Sequence, residues 1–257
     1  MAYPKLHEIK LANAPVNDEG YYLVTFCRKF GPYSAWAALR LGLTPRQVNY
    51  FALAVAFVVL GLAIFGGGHG LIAATTLVFV WQLIDVTDGT MARSLKIRDN
   101  FGGMVDYSTG MVVAAFLPLA LGIGACLTPD HSAETVLRVF GIELENPSIL
   151  VLIAGAGIST ISMYMRLINR VLYIRFGNSL TSGKVDDKNV ADSNGAMFGL
   201  AKNVETLGGL QAILFFTGAV THTLDALLVG YLAFYCAVFV GFAVSVYRNY
   251  GDRRQYL

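Results

Sequence analysis

Charge is what this chain has least of. Only 14% of its 257 residues are Asp, Glu, Lys or Arg, against 55% hydrophobic. That balance excludes a disordered chain and an ordinary soluble domain. With a mean hydropathy of +0.56, it is the profile of a membrane protein, and the length suits one helical domain. Cysteine is scarce too. Cys27, Cys126 and Cys236 lie far apart, without metal-ligand spacing and near apolar sequence, so they are expected to be buried thiols, with no disulfide framework. The first nineteen residues lack an apolar run, so no cleavable signal peptide is expected there. A net charge of +2 says little about partners, and no nucleic-acid partner is expected.

What is present is a succession of apolar runs. Residues 1–20 are polar, carry Pro4 and Pro15, and read as an irregular segment. Between Tyr21 and Leu43, Tyr22, Phe26, Phe30, Tyr33, Ala37 and Leu41 recur mostly three or four apart, with Arg28, Lys29 and Arg40 between them. This spacing predicts an amphipathic helix over 21–44 at the membrane surface, with Gly31-Pro32 as a point of interruption; a cytosolic helix packed on the bundle is the alternative. Thr44-Pro45 restarts the chain as a helix N-terminus. Spans are then expected at about Val48–Phe65, Leu71–Ile84 (continuing helically to Lys96), Gly103–Cys126, Ser148–Ile168, Leu207–Val220 and Ala226–Val246. The expected fold is all-α, an integral membrane bundle of six transmembrane helices over 45–257, preceded by an amphipathic surface helix.

Charge placement bears on the count. With six spans and both termini on one side, all of the 19 lysines and arginines except Arg138 fall on that side. The positive-inside rule then puts both termini, the 93–98 loop and the 170–202 loop in the cytoplasm, as in a bacterial-type inner membrane.

The stretch from Asp85 to Gly110 faces that side. Asp85, Asp88 and Asp106 sit in or against apolar segments, where an unpaired ionised carboxylate costs several kcal/mol. Asp85 and Asp88, three apart, project from one helix face. A turn containing Asp99, Asn100, Gly102 and Gly103 would fold Asp106 back toward them. Three oxygen ligands without histidine or cysteine suit Mg²⁺ or Mn²⁺. Gly89, Ala92 and Gly102 leave room for a ligand, and Arg93 offers charge to a phosphate. Carboxylate pairs at helix ends are common on solvated surfaces, so the full constellation carries the weight.

That constellation resembles the signature of the CDP-alcohol phosphotransferase family, D-x2-D-G-x2-A-R-x8-G-x3-D-x3-D. Asp85, Asp88, Gly89, Ala92, Arg93, Gly102 and Asp106 occupy every fixed position but the last. Six spans, the amphipathic helix and Thr44, Pro45 and Val48 at the first span also look like that family, from about Tyr21 onward. The resemblance implies transfer of a phosphoalcohol group from a CDP-linked alcohol or CDP-diacylglycerol to an acceptor, with release of CMP. It further implies divalent metals on Asp85, Asp88 and Asp106, a nucleotide site at Gly89, Ala92, Arg93 and Gly102, membrane lipid as partner, and a homodimer or larger complex.

The last position departs. Gly110 stands where the family has a fourth aspartate, its general base, and the next acidic residue is Asp130. Tyr107, Ser108 and Asp99 are local candidates for that role, none of them assignable. The reading is therefore an enzyme with altered or weakened chemistry. The alternative is a silent subunit that binds nucleotide or lipid in a membrane complex. Arg166 and Arg170 are candidate ligands for a phosphate on the acceptor, or topology-setting charges. Membrane prenyltransferases also hold diphosphates with aspartates, but a second D-x2-D is absent from the membrane region. Residues 181–194 read as a mobile loop, and Gly155, Gly157, Gly208 and Gly209 as helix-packing positions.

Overall fold

The computed structural model describes residues 3–14, 21–97, 100–128, 132–139, 145–176 and 206–250, with positions 141, 143 and 204. Among these, all regular structure is helical: α1 (Leu6–Asn13), α2 (Tyr22–Arg40), α3 (Pro45–Phe65), α4 (Gly67–Ser94), α5 (Asn100–Leu127), α6 (Ser132–Val139), α7 (Pro147–Phe176), α8 (Gln211–Val220) and α9 (Leu224–Tyr250). By length and composition, α3, α4, α5, α7 and α9 can each cross a membrane.

α8 is shorter, ten residues or about 15 Å of rise, against a hydrocarbon core of about 30 Å. Its neighbours define its course. A Cβ on Gly208, just before it, would meet Val24 and approach Gln82. Phe216 packs edge-on against Phe79 at 5.7 Å, and Gly218 and Ala219 share a small cleft with Gly68 and Leu71. α8 therefore runs antiparallel to α4, from the level of Gln82 back to the level of Gly68.

The helix boundaries follow from local chemistry. α2 ends where Gly42 takes φ 76, with Leu43 N–H donating to the Ala38 carbonyl and Gly42 N–H to that of Leu39. α3 begins one residue after Thr44, whose side chain accepts from Gln47 N–H, with Pro45 in the first turn. The α3–α4 corner is tight. A Cβ on Gly66 or Gly70 would come within 2.5 Å of backbone atoms, and Gly67 has φ 60. α4 ends with Ile97 N–H on the Ala92 carbonyl and Lys96 N–H on that of Arg93, Lys96 holding the left-handed conformation where glycine is usual.

Close crossings knit the bundle. A Cβ on Gly155 would lie 2.6 Å from the Pro118 carbonyl and 2.9 Å from Gly122 Cα, and one on Gly124 would collide with the Ala63 carbonyl. The main core draws on α3, α4, α5, α7, α8 and α9. A second, smaller core gathers Ile9, Ala35, Ala38, Leu39, Val48 and Met91.

Four readings are corrected. The segment 1–20 is not irregular throughout, because α1 forms over Leu6–Asn13 and buries Ile9 completely. α2 is continuous through Pro32, and Gly31 beside it lies close against Val86 and Thr90 of α4, tertiary packing that supports the helix where proline alone would weaken it. α5 starts at Asn100, so Gly102 and Gly103 lie inside the helix and the α4–α5 turn is shorter than expected. Of the cysteines only Cys27 is buried; Cys126 is half-buried and Cys236 on α9 is exposed. The polar loop after α5 holds the short α6, whose N-terminus donates to the buried Asp225 through Ser132 Oγ and Ala133 N–H. Residues 177–203 and Asp99 lie outside the described residues.

Candidate functional site at the α4–α5 end

The last three turns of α4 carry Asp85, Asp88, Gly89, Ala92 and Arg93, and the second turn of α5 carries Asp106. Asp85 is half-buried, Asp88 buried, and Asp106 exposed. Gln82, one turn before Asp85 and itself buried, donates from Nε2 to Asp85 Oδ2 at 3.3 Å. Asp88 Oδ1 accepts from the backbone N–H of Gly89. The carboxyl groups of Asp85 and Asp106 lie within hydrogen-bonding reach of one another across the two helices, and Asp88 is in electrostatic contact with both. Arg93 is the neighbouring cation, acting on Asp88 and on Asp106.

Three neighbouring carboxyl groups, two of them near one guanidinium, make a negatively inclined site that a cation can offset. All the donors are oxygens, which suits Mg²⁺ or Mn²⁺ in kind. Among the described residues, no three His, Cys, Asp or Glu side chains form a ready-made metal-ligand group, so the three carboxylates would have to draw together to share an ion. The position four residues after Asp106 on α5 is Gly110. It is half-buried one turn beyond Asp106, and a Cβ there would meet nothing within 4 Å.

Gly89 has a steric reason to be glycine. A Cβ at this position would stand 3.2 Å from Arg93 Nη1 and 3.8 Å from Cζ, so the guanidinium lies across the bare backbone. Arg93 also donates from Nη2 to Thr90 Oγ1 at 3.3 Å and from Nε to Asn13 Oδ1 at 2.6 Å. Ala92 is half-buried beside them. Gly102 falls in the first turn of α5, and its surroundings lie outside the described residues.

The two arginines of α7 differ. Arg170 stacks over the ring of Tyr107, its Cζ 5.2 Å from the centroid, which brings it beside the residue after Asp106. Arg166, one turn earlier, is half-buried.

Three side chains at this end were not singled out from the sequence. Gln82 had a signal, being three residues before Asp85 on a helix. Cys27 had none. It is buried near Asp85, and burial, with the Asp85 charge adding to it, pushes its thiol up to about 11. Asn13 had none either, since it comes from the polar N-terminal segment.

Fold and cluster together define a class: an integral membrane helical bundle with an acidic, arginine-bearing site where two of its apolar helices meet. No known protein-family model matches the chain, and no curated protein matches it.

Proposed function

We propose that this protein is a divalent-metal-dependent membrane phosphoalcohol transferase, similar to the CDP-alcohol phosphotransferases. It would move a phosphoalcohol group from a CDP-linked alcohol or CDP-diacylglycerol to an acceptor with release of CMP. The observation that carries this reading is the meeting of Asp85 and Asp106 across α4 and α5, with Asp88 and Arg93 in electrostatic contact. Such a cluster is costly near a membrane unless a ligand completes it. A bound Mg²⁺ or Mn²⁺ would neutralise charge on a diphosphate at this point. Asp85, Asp88 and Asp106 would hold the metal, and Gly89, Ala92, Arg93 and Gly102 would hold the nucleotide. Gly89 lets the Arg93 guanidinium lie flat at the site, where its fork suits a phosphate. Arg170, stacked on Tyr107, is the better placed of the two α7 arginines to meet a phosphate on the acceptor.

The same reading takes α8 as a short sixth span, supported by its antiparallel course along α4. Both termini and the acidic end would then face the cytoplasm. α2 would lie in the interface. Its Tyr22, Phe26, Phe30, Tyr33 and Trp36 are exposed, while Leu23, Cys27, Gly31, Ala35 and Leu39 are its buried face, an arrangement suited to burying the aromatic stripe in lipid.

A second reading has one observation in its favour. Gly110 offers neither ligand nor base one turn beyond Asp106, so the protein would bind a CDP compound or lipid as a silent subunit of a membrane complex. One experiment separates the two. Purified protein is incubated with Mn²⁺ or Mg²⁺ and a panel of CDP-alcohols and acceptors, and both CDP binding and CMP release are followed. Binding with release supports the transferase, binding without release supports the silent subunit, and no binding defeats both.

A further inference from the structure

α1 reaches the acidic end with a polar side chain as well as an apolar one. Ile9, fully buried in the smaller core with Met91 of α4, seats the helix. One turn on, Asn13 lies against the last turns of α4. Its Nδ2 donates to the Ile9 carbonyl at 2.9 Å, to Ser94 Oγ at 3.1 Å and to the Thr90 carbonyl at 3.4 Å. Its Oδ1 accepts from Arg93 Nε at 2.6 Å. Chemistry fixes the orientation of the amide, because carbonyls only accept and a guanidinium only donates. With Nε held by Asn13, the two Nη atoms fall beside Gly89 and Thr90, on the side of Asp88. A long arginine side chain is otherwise free in several rotamers, and an anchored Nε removes much of that freedom before any ligand arrives.

We propose that Asn13 is a positioning residue that sets the Arg93 guanidinium for a phosphate of the nucleotide, so that the N-terminal segment is part of the ligand site. This rests on the reading of Arg93 as a phosphate ligand. Asn13 touches no reacting atom and acts only through Arg93.

The test uses the full chain in lipid nanodiscs, with CDP and Mg²⁺ as the probe, and compares the parent with Asn13→Ala, Asn13→Asp, Arg93→Ala and the Asn13→Ala/Arg93→Ala double variant. A hydrogen bond to a charged partner supports about a tenfold loss of CDP affinity in Asn13→Ala. Asn13→Asp keeps an oxygen for Nε and stays within about threefold of the parent. In the Arg93→Ala background, removing Asn13 has no further effect. Parent-like affinity in Asn13→Ala, or losses that multiply in the double variant, overturns the proposal. A parent that does not bind CDP overturns the functional reading instead. Slow solvent exchange of the ¹⁵N-labelled Arg93 Nε–H, lost in Asn13→Ala and kept in Asn13→Asp, then decides the orienting role by itself, and equal exchange in all three ends it.

Discussion

Gly110→Asp places a carboxylate one helical turn beyond Asp106, on the same face of α5. The structure raises no steric objection, since a Cβ at this position meets nothing within 4 Å. Helix propensity favours the change by roughly 0.3 kcal/mol. Electrostatics opposes it. Two carboxylates one turn apart, about 6 Å between them, repel by roughly 3 kcal/mol at an effective dielectric constant of about 20. Without divalent ions the variant is therefore less stable by about 2 to 3 kcal/mol, or roughly 5 to 10 °C in Tm for a chain of this size. Mg²⁺ should recover most of that loss, so the variant responds to the ion more strongly than the parent does. If position 110 also supplies a general base, CMP release from a CDP-alcohol should rise about 10²- to 10⁴-fold over the parent. The assay is CMP release in nanodiscs beside thermal melts with Mg²⁺ or with chelator. A folded variant whose melting ignores Mg²⁺ and whose CMP release matches the parent's would refute the placement of Gly110 at the site.

Other consequences are as definite. Gly89→Ala puts a methyl group 3.2 Å from Arg93 Nη1, so the guanidinium must shift by a few tenths of an ångström; CDP affinity should fall severalfold with Tm nearly unchanged, and equal affinity would count against Arg93 as a ligand. Gly124→Ala drives a methyl group into the Ala63 carbonyl, where backbone cannot yield, so destabilisation of at least about 3 kcal/mol is expected, read as loss of monodisperse protein on size exclusion. Cys27, its thiol pushed up to about 11 by burial and by Asp85, should react with maleimide along a pH profile centred near that value in a Cys126→Ser, Cys236→Ser background. A midpoint near an unperturbed thiol's value of about 8.5 would contradict its burial. Because the folded state favours the neutral thiol, the stability this contributes is complete below about pH 8.5 and is lost as pH rises through about 11.

The spans could be read from the sequence because an apolar run of some twenty residues has few other fates. The chain corners were legible for equally local reasons: Thr44-Pro45 is an N-terminal cap, and the glycines at 66–70 allow a corner that side chains would block. The acidic end was legible as a list of residues, and the structure adds its geometry. It brings Asp85 and Asp106 together, puts Arg93 across Gly89, and leaves Gly110 in open space. α1 was hidden because eight residues cannot sustain a helix alone. Ile9 and Asn13 stabilise it through contacts with α2 and α4, with residues from Ala35 to Ser94, which leave no local pattern. The aromatic residues of α2 formed a legible stripe, but the packed face is the other one, Leu23, Cys27, Gly31, Ala35 and Leu39, whose smaller side chains drew less notice than the rings. Cys236 was misread for a related reason, because an apolar neighbourhood marks a face toward lipid as readily as one toward the core.

The central claim is that Asp85, Asp88 and Asp106 together hold a divalent cation that engages a nucleotide's diphosphate. Mn²⁺ titration followed by electron paramagnetic resonance on protein in nanodiscs reads this directly. The account predicts saturable binding that tightens when CDP is added and weakens at least tenfold in each of Asp85→Asn, Asp88→Asn and Asp106→Asn. Absence of saturable binding, or Mn²⁺ bound equally well in all three variants, would contradict it.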